Sequence, residues 1–344
     1  MSEAVFRGRA LTGDDLEERS VEIRVEDGII TAIEETGNPG DTWICPAFFN
    51  THTHLGDTIA MDIAAVGDLA ALVSPPHGLK HRLLAAATRE DLVAAMRASI
   101  REMIASGTAG FADFREGGED GVRALQEAGD GLPCVPVIFG REGGECIAGG
   151  FGVSSCRDIP GLEEQVSAAR GAGKRIAFHA GERDPDDVNE ALAFDPDLLI
   201  HCTHATRRQL RECAEREIPI VVCPRSNWRL NVTRSSGHPP IRAMLDLGIC
   251  LLLGTDNVMF TQPDMFREMA FTATVYGAGP RELLTGAISG SALFSRPFFL
   301  EENISANFMV IDTARANIRY SRDLCTSLVH RVSPEKIVKK VFNS

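Results

Sequence analysis

Between residues 21 and 35 apolar and polar side chains alternate on both sides of Asp27-Gly28. Alternation at a period of two is the mark of a strand with one buried face, and Asp-Gly between two such runs predicts a tight hairpin. A hairpin buries too little surface to stand alone. The run NFMVIDT at 307–313 reads as a further strand at the other end of the chain. Together they predict a small composite β-sandwich built from residues 1–45 and 303–344.

The stretch between, residues 46–302, has another rhythm. Short apolar runs at 42–50, 108–114, 134–140, 175–181, 197–202, 218–224 and 249–256 alternate with helical patterns. In one of these, Leu92, Met96, Ile100 and Met103 recur at spacings of three and four before Gly107, an amphipathic helix with a glycine stop. A weaker, glycine-rich run at 149–155 supplies an eighth strand. Repeated strand–helix units predict a parallel sheet covered by helices. Eight of them predict the α/β class and a (β/α)8 TIM barrel, with the terminal β-sandwich beside it. A doubly wound sheet is the alternative. The stretches EGGEDG and EGGECIAGG are not GxGxxG fingerprints leading into a helix, so dinucleotide binding has little support.

Composition narrows the partners. The chain has 344 residues, and its 35 basic and 48 acidic side chains leave a net charge of -13. Such a balance argues against nucleic acid or an anionic membrane as partner, while leaving room for a small anion held by local arginines. The nine cysteines are scattered without a CxxC pair. That spacing points to reduced thiols in the cytoplasm rather than to disulfides or a zinc ribbon. The first twenty residues lack an apolar core of the signal-peptide kind. No apolar run approaches the ~20 residues that span a bilayer.

Polar residues then fall in a telling place. His52 and His54 close the first barrel run, His179 and His201 close two others, and Asp256 closes the last. The C-terminal ends of parallel strands are where barrels put their chemistry. At i and i+2 on a strand, His52 and His54 share one face. With His179 and Asp256 they make three nitrogens and one carboxylate, a set that suits zinc and also iron or manganese. Glu182, three residues past His179, can reach the same site. A divalent metal brings the pKa of water from 15.7 to about 7, which supplies hydroxide for a hydrolysis at neutral pH. A carboxyl beside the metal can carry protons to and from the reacting group. Taken alone, any one of these histidines has a plainer reading as a satisfied core residue, and Glu182 as a solvated loop carboxylate.

The segments PAFFNTHTHLGD, FHAGE, LLIHC, CPRSN and LLLGTDN, in that order from about Pro46 to Asn257, resemble the amidohydrolase superfamily. More narrowly they resemble its mononuclear-metal branch of deaminases and triazine chlorohydrolases. The resemblance implies one divalent ion, zinc first and iron or manganese next, held by His52, His54, His179 and Asp256. It implies that Glu182 shuttles a proton to the ring nitrogen and that His201 orients the attacking oxygen. It gives Asp256 a second task as acceptor of the water's proton. Ser226 and Asn227 would shape the pocket. Binuclear relatives use a carboxylated lysine after the fourth strand. The chain's five lysines include none between Lys80 and Lys174, which disfavours a second metal.

The implied reaction is hydrolytic removal of an amino group from an N-heterocycle: a nucleoside, a nucleobase, a pterin or a similar ring. Cleavage of another C–N or a C–Cl bond is the alternative, and a catalytically silent relative a third. The implied partner is this small heterocycle, and a homo-oligomer is the common assembly of such barrels. Arg115 and Arg141 each open the pentad Arg-Glu-Gly-Gly-Glu after a strand. Either could grip a substrate oxyanion by forked hydrogen bonds, or simply pair with its neighbouring glutamate. Arg225 in CPRSN is another candidate for substrate contact, and His204 a candidate for lining the pocket. The resemblance makes the insert PPHGLKH a substrate-gating loop, and Pro75-Pro76 predicts loop structure there.

Overall fold

The computed structural model describes residues 3–63, 69–73, 77–314 and 316–343. Pro75 and Pro76 lie outside them. The strands are β1 (Glu3–Thr12), β2 (Glu17–Glu26), β3 (Ile29–Glu35), β4 (Thr42–Pro46), β5 (Phe48–His54), β6 (Thr108–Arg115), β7 (Val135–Gly140), β8 (Gly150–Val153), β9 (Arg175–Ala180), β10 (Leu198–His201), β11 (Ile220–Val222), β12 (Leu251–Leu253), β13 (Asp256–Asn257), β14 (Asn307–Asp312) and β15 (Ile337–Phe342).

Strands from both chain ends make one six-stranded sheet in the order β15-β14-β4-β1-β2-β3. Among the described residues the terminal strands thus form a single sheet, not the two stacked layers of a sandwich. Asp27 and Gly28 turn the β2–β3 hairpin with φ of 48° and 81°, the positive pair that a two-residue turn of matching twist requires. One face of this sheet packs Ile23, Val25, Ile30, Ile44, Phe308 and Val310 into a buried cluster of its own.

The run expected at 42–50 divides between the two sheets. Ala47 N–H donates to the Asn307 carbonyl (2.9 Å), and the next amide, Phe48 N–H, donates to Gly107 (2.9 Å). The chain changes sheets within one peptide, leaving β4 in the terminal sheet and β5 in the second.

That second sheet has the order β12-β11-β10-β9-β8-β7-β6-β5-β13, with every pairing parallel. β12 and β13 are one strand broken at Gly254-Thr255. Its first half bonds to β11 and its second half to β5, so the sheet curls back on its own first strand in a TIM-barrel-like ring. Gly254 N–H donates to Val222 and Thr255 N–H to His52, each at 3.1 Å. A side chain at Gly254 would meet His52 Cβ at 2.6 Å and its backbone N at 2.9 Å, so only glycine lets the strands close here. Asn50 braces the break, its amide nitrogen on Thr255 Oγ1 (2.7 Å) and its oxygen on Thr255 N–H (3.0 Å).

Helices cover most of the crossovers. Helix Arg89–Ala105 starts at Thr88, whose hydroxyl accepts from Asp91 N–H, and buries Met96, Ile100 and Met103. Between β7 and β8 there is only a short turn, Gly144–Cys146. Lys174 Nζ secures it by donating to the carbonyls of Glu145, Cys146 and Ala148. Phe48, Phe49, Phe114, Phe139, Phe151 and Phe178 are fully buried along the ring. No described helix is long and apolar enough to cross a membrane.

Candidate metal centre and pocket

Alternation along β5 sends His52 and His54 to the same side, where their rings meet edge to face at 5.0 Å between centroids. β9 brings His179 within 4.8 Å of the His52 ring. The tautomers follow from backbone carbonyls. His179 Nδ1 lies 2.8 Å from the Val153 carbonyl and His54 Nδ1 lies 3.0 Å from that of Phe114. With Nδ1–H donating in each ring, Nε2 is left with its lone pair. Neither nitrogen of the fully buried His52 has a hydrogen-bond partner among the described residues; its Nε2 stands 3.2 Å from Asp256 Oδ1. That oxygen is also 3.6 Å from His54 Nε2, while Asp256 Oδ2 accepts from Ser226 Oγ at 2.5 Å. Asp256 holds a left-handed φ of 60°. The broken strand fixes that conformation.

Charge states match the geometry. Burial pushes the pKa of His52 down to about 4 and that of His54 to about 3, and it lowers His179 well below the usual imidazole range. All three rings are neutral at neutral pH, the state in which imidazole binds a cation. Burial alone would raise Asp256, but the surrounding His52, His201 and His54 rings outweigh it and hold the carboxyl well below its ordinary value. Donor atoms of His52, His54 and His179 lie within 4.8 Å of one another, as do those of His52, His201 and Asp256. Neutral imidazoles, an ionised carboxylate and two orphaned ring nitrogens fit a divalent cation.

His201 ends β10 at a φ of 74°, followed by Cys202 at 45°. Two successive non-glycine residues in the left-handed region cost free energy and persist where the fold over-determines them. They swing the imidazole toward Glu182, with Nε2 3.8 Å from Oε1. Burial raises the Glu182 pKa, Asp256 adds to the rise and His201 opposes it. Asp187 anchors the Glu182 turn, its oxygens accepting from Gly181 N–H (3.2 Å) and Ser155 Oγ (3.0 Å).

One pocket holds His54, His179, Glu182, His201 and Asp256 in its wall, together with Arg141 and Lys80. The other residues singled out in the sequence lie elsewhere. Arg115 is buried against its own neighbours, with Nη2 on Glu116 Oε2 (2.5 Å), Nη1 near Asp113 (3.5 Å) and no place in the pocket wall. Arg225 is tied to Glu268 at 3.1 Å and to the carbonyls of Gln262 and Asp264. Asn227 Nδ2 donates to Thr203 Oγ1 (2.7 Å). The ring of His204 faces that of His238. His81 lines the pocket and bonds the Val73 carbonyl (3.1 Å).

Sequence reasoning passed over Lys80 and Glu116. Lys80 is 4% exposed and ion-paired to Asp57 (2.9 Å) and Glu116 Oε1 (2.8 Å). Glu116 Oε1 also meets His54 Nδ1 at 3.0 Å. Burial would raise the Glu116 pKa, but Lys80, His54 and Arg115 drive it well below the usual carboxylate range. The available signal was the rarity of lysine in this chain, with one of the five in the insert beside the first barrel strand.

Family models described as "Amidohydrolase family" and "Adenosine deaminase" match residues 43–148 and 156–293. A putative aminohydrolase of Methanothermobacter thermautotrophicus is 34% identical, with 97% of this chain and 96% of that protein covered. A 5-methylthioadenosine/S-adenosylhomocysteine deaminase of Halobacterium salinarum is 26% identical over 75% of this chain and 68% of its own. Among solved structures, a zinc-bound adenosine deaminase from Xanthomonas campestris superposes with a TM-score of 0.77 at 16% identity, over 98% of this chain and 90% of that one.

Proposed function

The chain belongs to the amidohydrolase family, in its deaminase branch, and from that premise we propose that it hydrolyses the exocyclic amino group of an N-heterocycle. The products are the oxo ring and ammonia. One observation carries the reading: a buried Glu182, its carboxyl pKa raised, shares a single pocket with His54, His179 and an ionised Asp256.

His52, His54, His179 and Asp256 would hold a divalent cation. When bound, such an ion supplies Lewis-acid chemistry and brings the pKa of water toward neutrality. Asp256, held in place through its other oxygen by Ser226, accepts the proton of the attacking water. His201 stands beside the reacting carbon and hydrogen-bonds the incoming oxygen. Glu182, with its raised pKa, gives its proton to the ring nitrogen as the carbon becomes tetrahedral, takes the proton of the new hydroxyl and passes it to the amino group as it leaves, and is recharged by the proton that Asp256 took from the water. Over the cycle water's oxygen ends on the ring carbon, one hydrogen on the ring nitrogen and the other on ammonia.

The test is ammonia release by metal-loaded protein from a panel of amino-heterocycles. The activity of the Halobacterium relative puts methylthioadenosine first, followed by guanine, cytosine and an aminopterin. Consumption of a chlorotriazine or cyclic amide with no ammonia from any amine would overturn the reading. Glu182→Gln should keep stoichiometric metal and lose about 100-fold or more in turnover, the usual worth of a positioned acid–base group. Full activity in that variant would remove Glu182 from this role.

A further inference from the structure

Arg141 follows β7 at the pocket wall, 5% exposed. Its Nε and Nη2 are fully buried and meet no acceptor among the described residues. These two donors share one edge of the guanidinium and are spaced for the two oxygens of one oxyanion. Among the described residues the one carboxylate within 4.0 Å of its nitrogens, Glu116, approaches Nη1 at 4.0 Å. It cannot serve Arg141, because Lys80, His54 and Arg115 already crowd it at 2.8, 3.0 and 2.5 Å. A charged fork left unpaired in a buried wall is costly, whereas an acceptor arriving with the substrate would satisfy it.

Building on the deaminase reading, we infer that the substrate carries an oxyanion, a carboxylate or a phosphate, on or one short link from the reacting ring, and that the Nε/Nη2 edge of Arg141 receives it. The short link follows from position. Arg141 and His54 flank the same Glu116 oxygen, so the anion sits beside the metal-ligand cluster and not at the end of a long tail. Lys80 serves by neutralising Glu116, which leaves the charge of Arg141 to the substrate.

The experiment uses metal-loaded protein and three probes on one aminopyrimidine ring: a ring carboxylate, the matching carboxamide and a phosphomethyl ester. Calorimetric binding should favour one or both acids over the carboxamide by about 10- to 100-fold, the worth of hydrogen bonds to a charged partner. The favoured acid identifies the anion. Arg141→Gln should abolish the preference and Arg141→Lys should keep part of it. Equal binding of acid and amide by wild type, or an intact preference in Arg141→Gln, overturns the inference. The wild-type comparison decides even where a variant fails to fold. Ammonia is read separately: release without acid preference sinks the anion inference alone. Acid preference with no ammonia from any amino-heterocycle sinks the deaminase reading alone.

Discussion

Glu268 has no solvent exposure, yet its carboxyl accepts from the Arg225 backbone N–H at 3.0 Å and faces the Arg225 Nε at 3.1 Å. It thereby braces the start of helix Pro224–Arg229, the helix from which Ser226 reaches Asp256. Burial raises its pKa from 4.5 to about 7, with Arg225 opposing the rise. A carboxyl whose pKa rises on folding binds its proton more tightly in the native state. Its cost is absent below pH 4.5, grows as pH rises through about 7, and is constant above. The integrated penalty is on the order of 3 kcal/mol. Relative to wild type, Glu268→Gln should therefore gain stability progressively across that window, as read by denaturant unfolding at stepped pH. Parallel stability curves for the two proteins would contradict this. At this scale the histidines and Glu182 were legible because each stands at or just past the end of an apolar run. The pairing of Lys80 with Glu116 was not: the two are far apart in the chain and meet only where helix Leu79–Ala86 sets Lys80 beside the end of β6.

Among elements, the ion network is the joint between β5, helix Leu79–Ala86 and the end of β6. Lys80→Met would leave Asp57 buried without its ion pair and Glu116 with Arg115 as its one close cation. Breaking one side of a buried pair costs about 3–5 kcal/mol. The same change disturbs the carboxylate behind His54, for which a loss of about 10- to 100-fold in metal affinity is expected. Denaturant unfolding and competition with a metal-binding dye measure the two effects, and a variant unchanged in both would remove the network from this role. Most strands could be read from apolar runs and turn residues, including the glycine-rich β8. Two boundaries could not. Residues 42–50 are apolar on both sides of Ala47, so the change of sheet leaves no polar mark. The run 249–256 hides its break because Gly254 and Thr255 keep the strand's course while changing its partner.

For the molecule as a whole, the proposed donors come from the paired strands β5 and β13 and from β9, which lies further round the ring. A bound ion would tie these strands together, and a ligand that binds only the folded state stabilises it by mass action. At a free concentration about 100 times its Kd the gain is about 2.7 kcal/mol, or roughly 4 °C in Tm for a chain of this size. Thermal scans before and after dialysis against a chelator should show that loss, and its return on adding a divalent metal. An unchanged Tm would argue against a resident ion.

The break at Gly254-Thr255 also sets an order of events during synthesis. On the ribosome, His52 and His54 emerge roughly two hundred residues ahead of Asp256. Throughout that interval the nascent first strand lacks its β13 partner and presents an open edge, the kind of edge that invites aggregation and that chaperones shield. Arrival of one short dipeptide strand ends this exposure and delivers the carboxylate together. The growing chain loses its sticky edge and assembles its fourth donor in a single step.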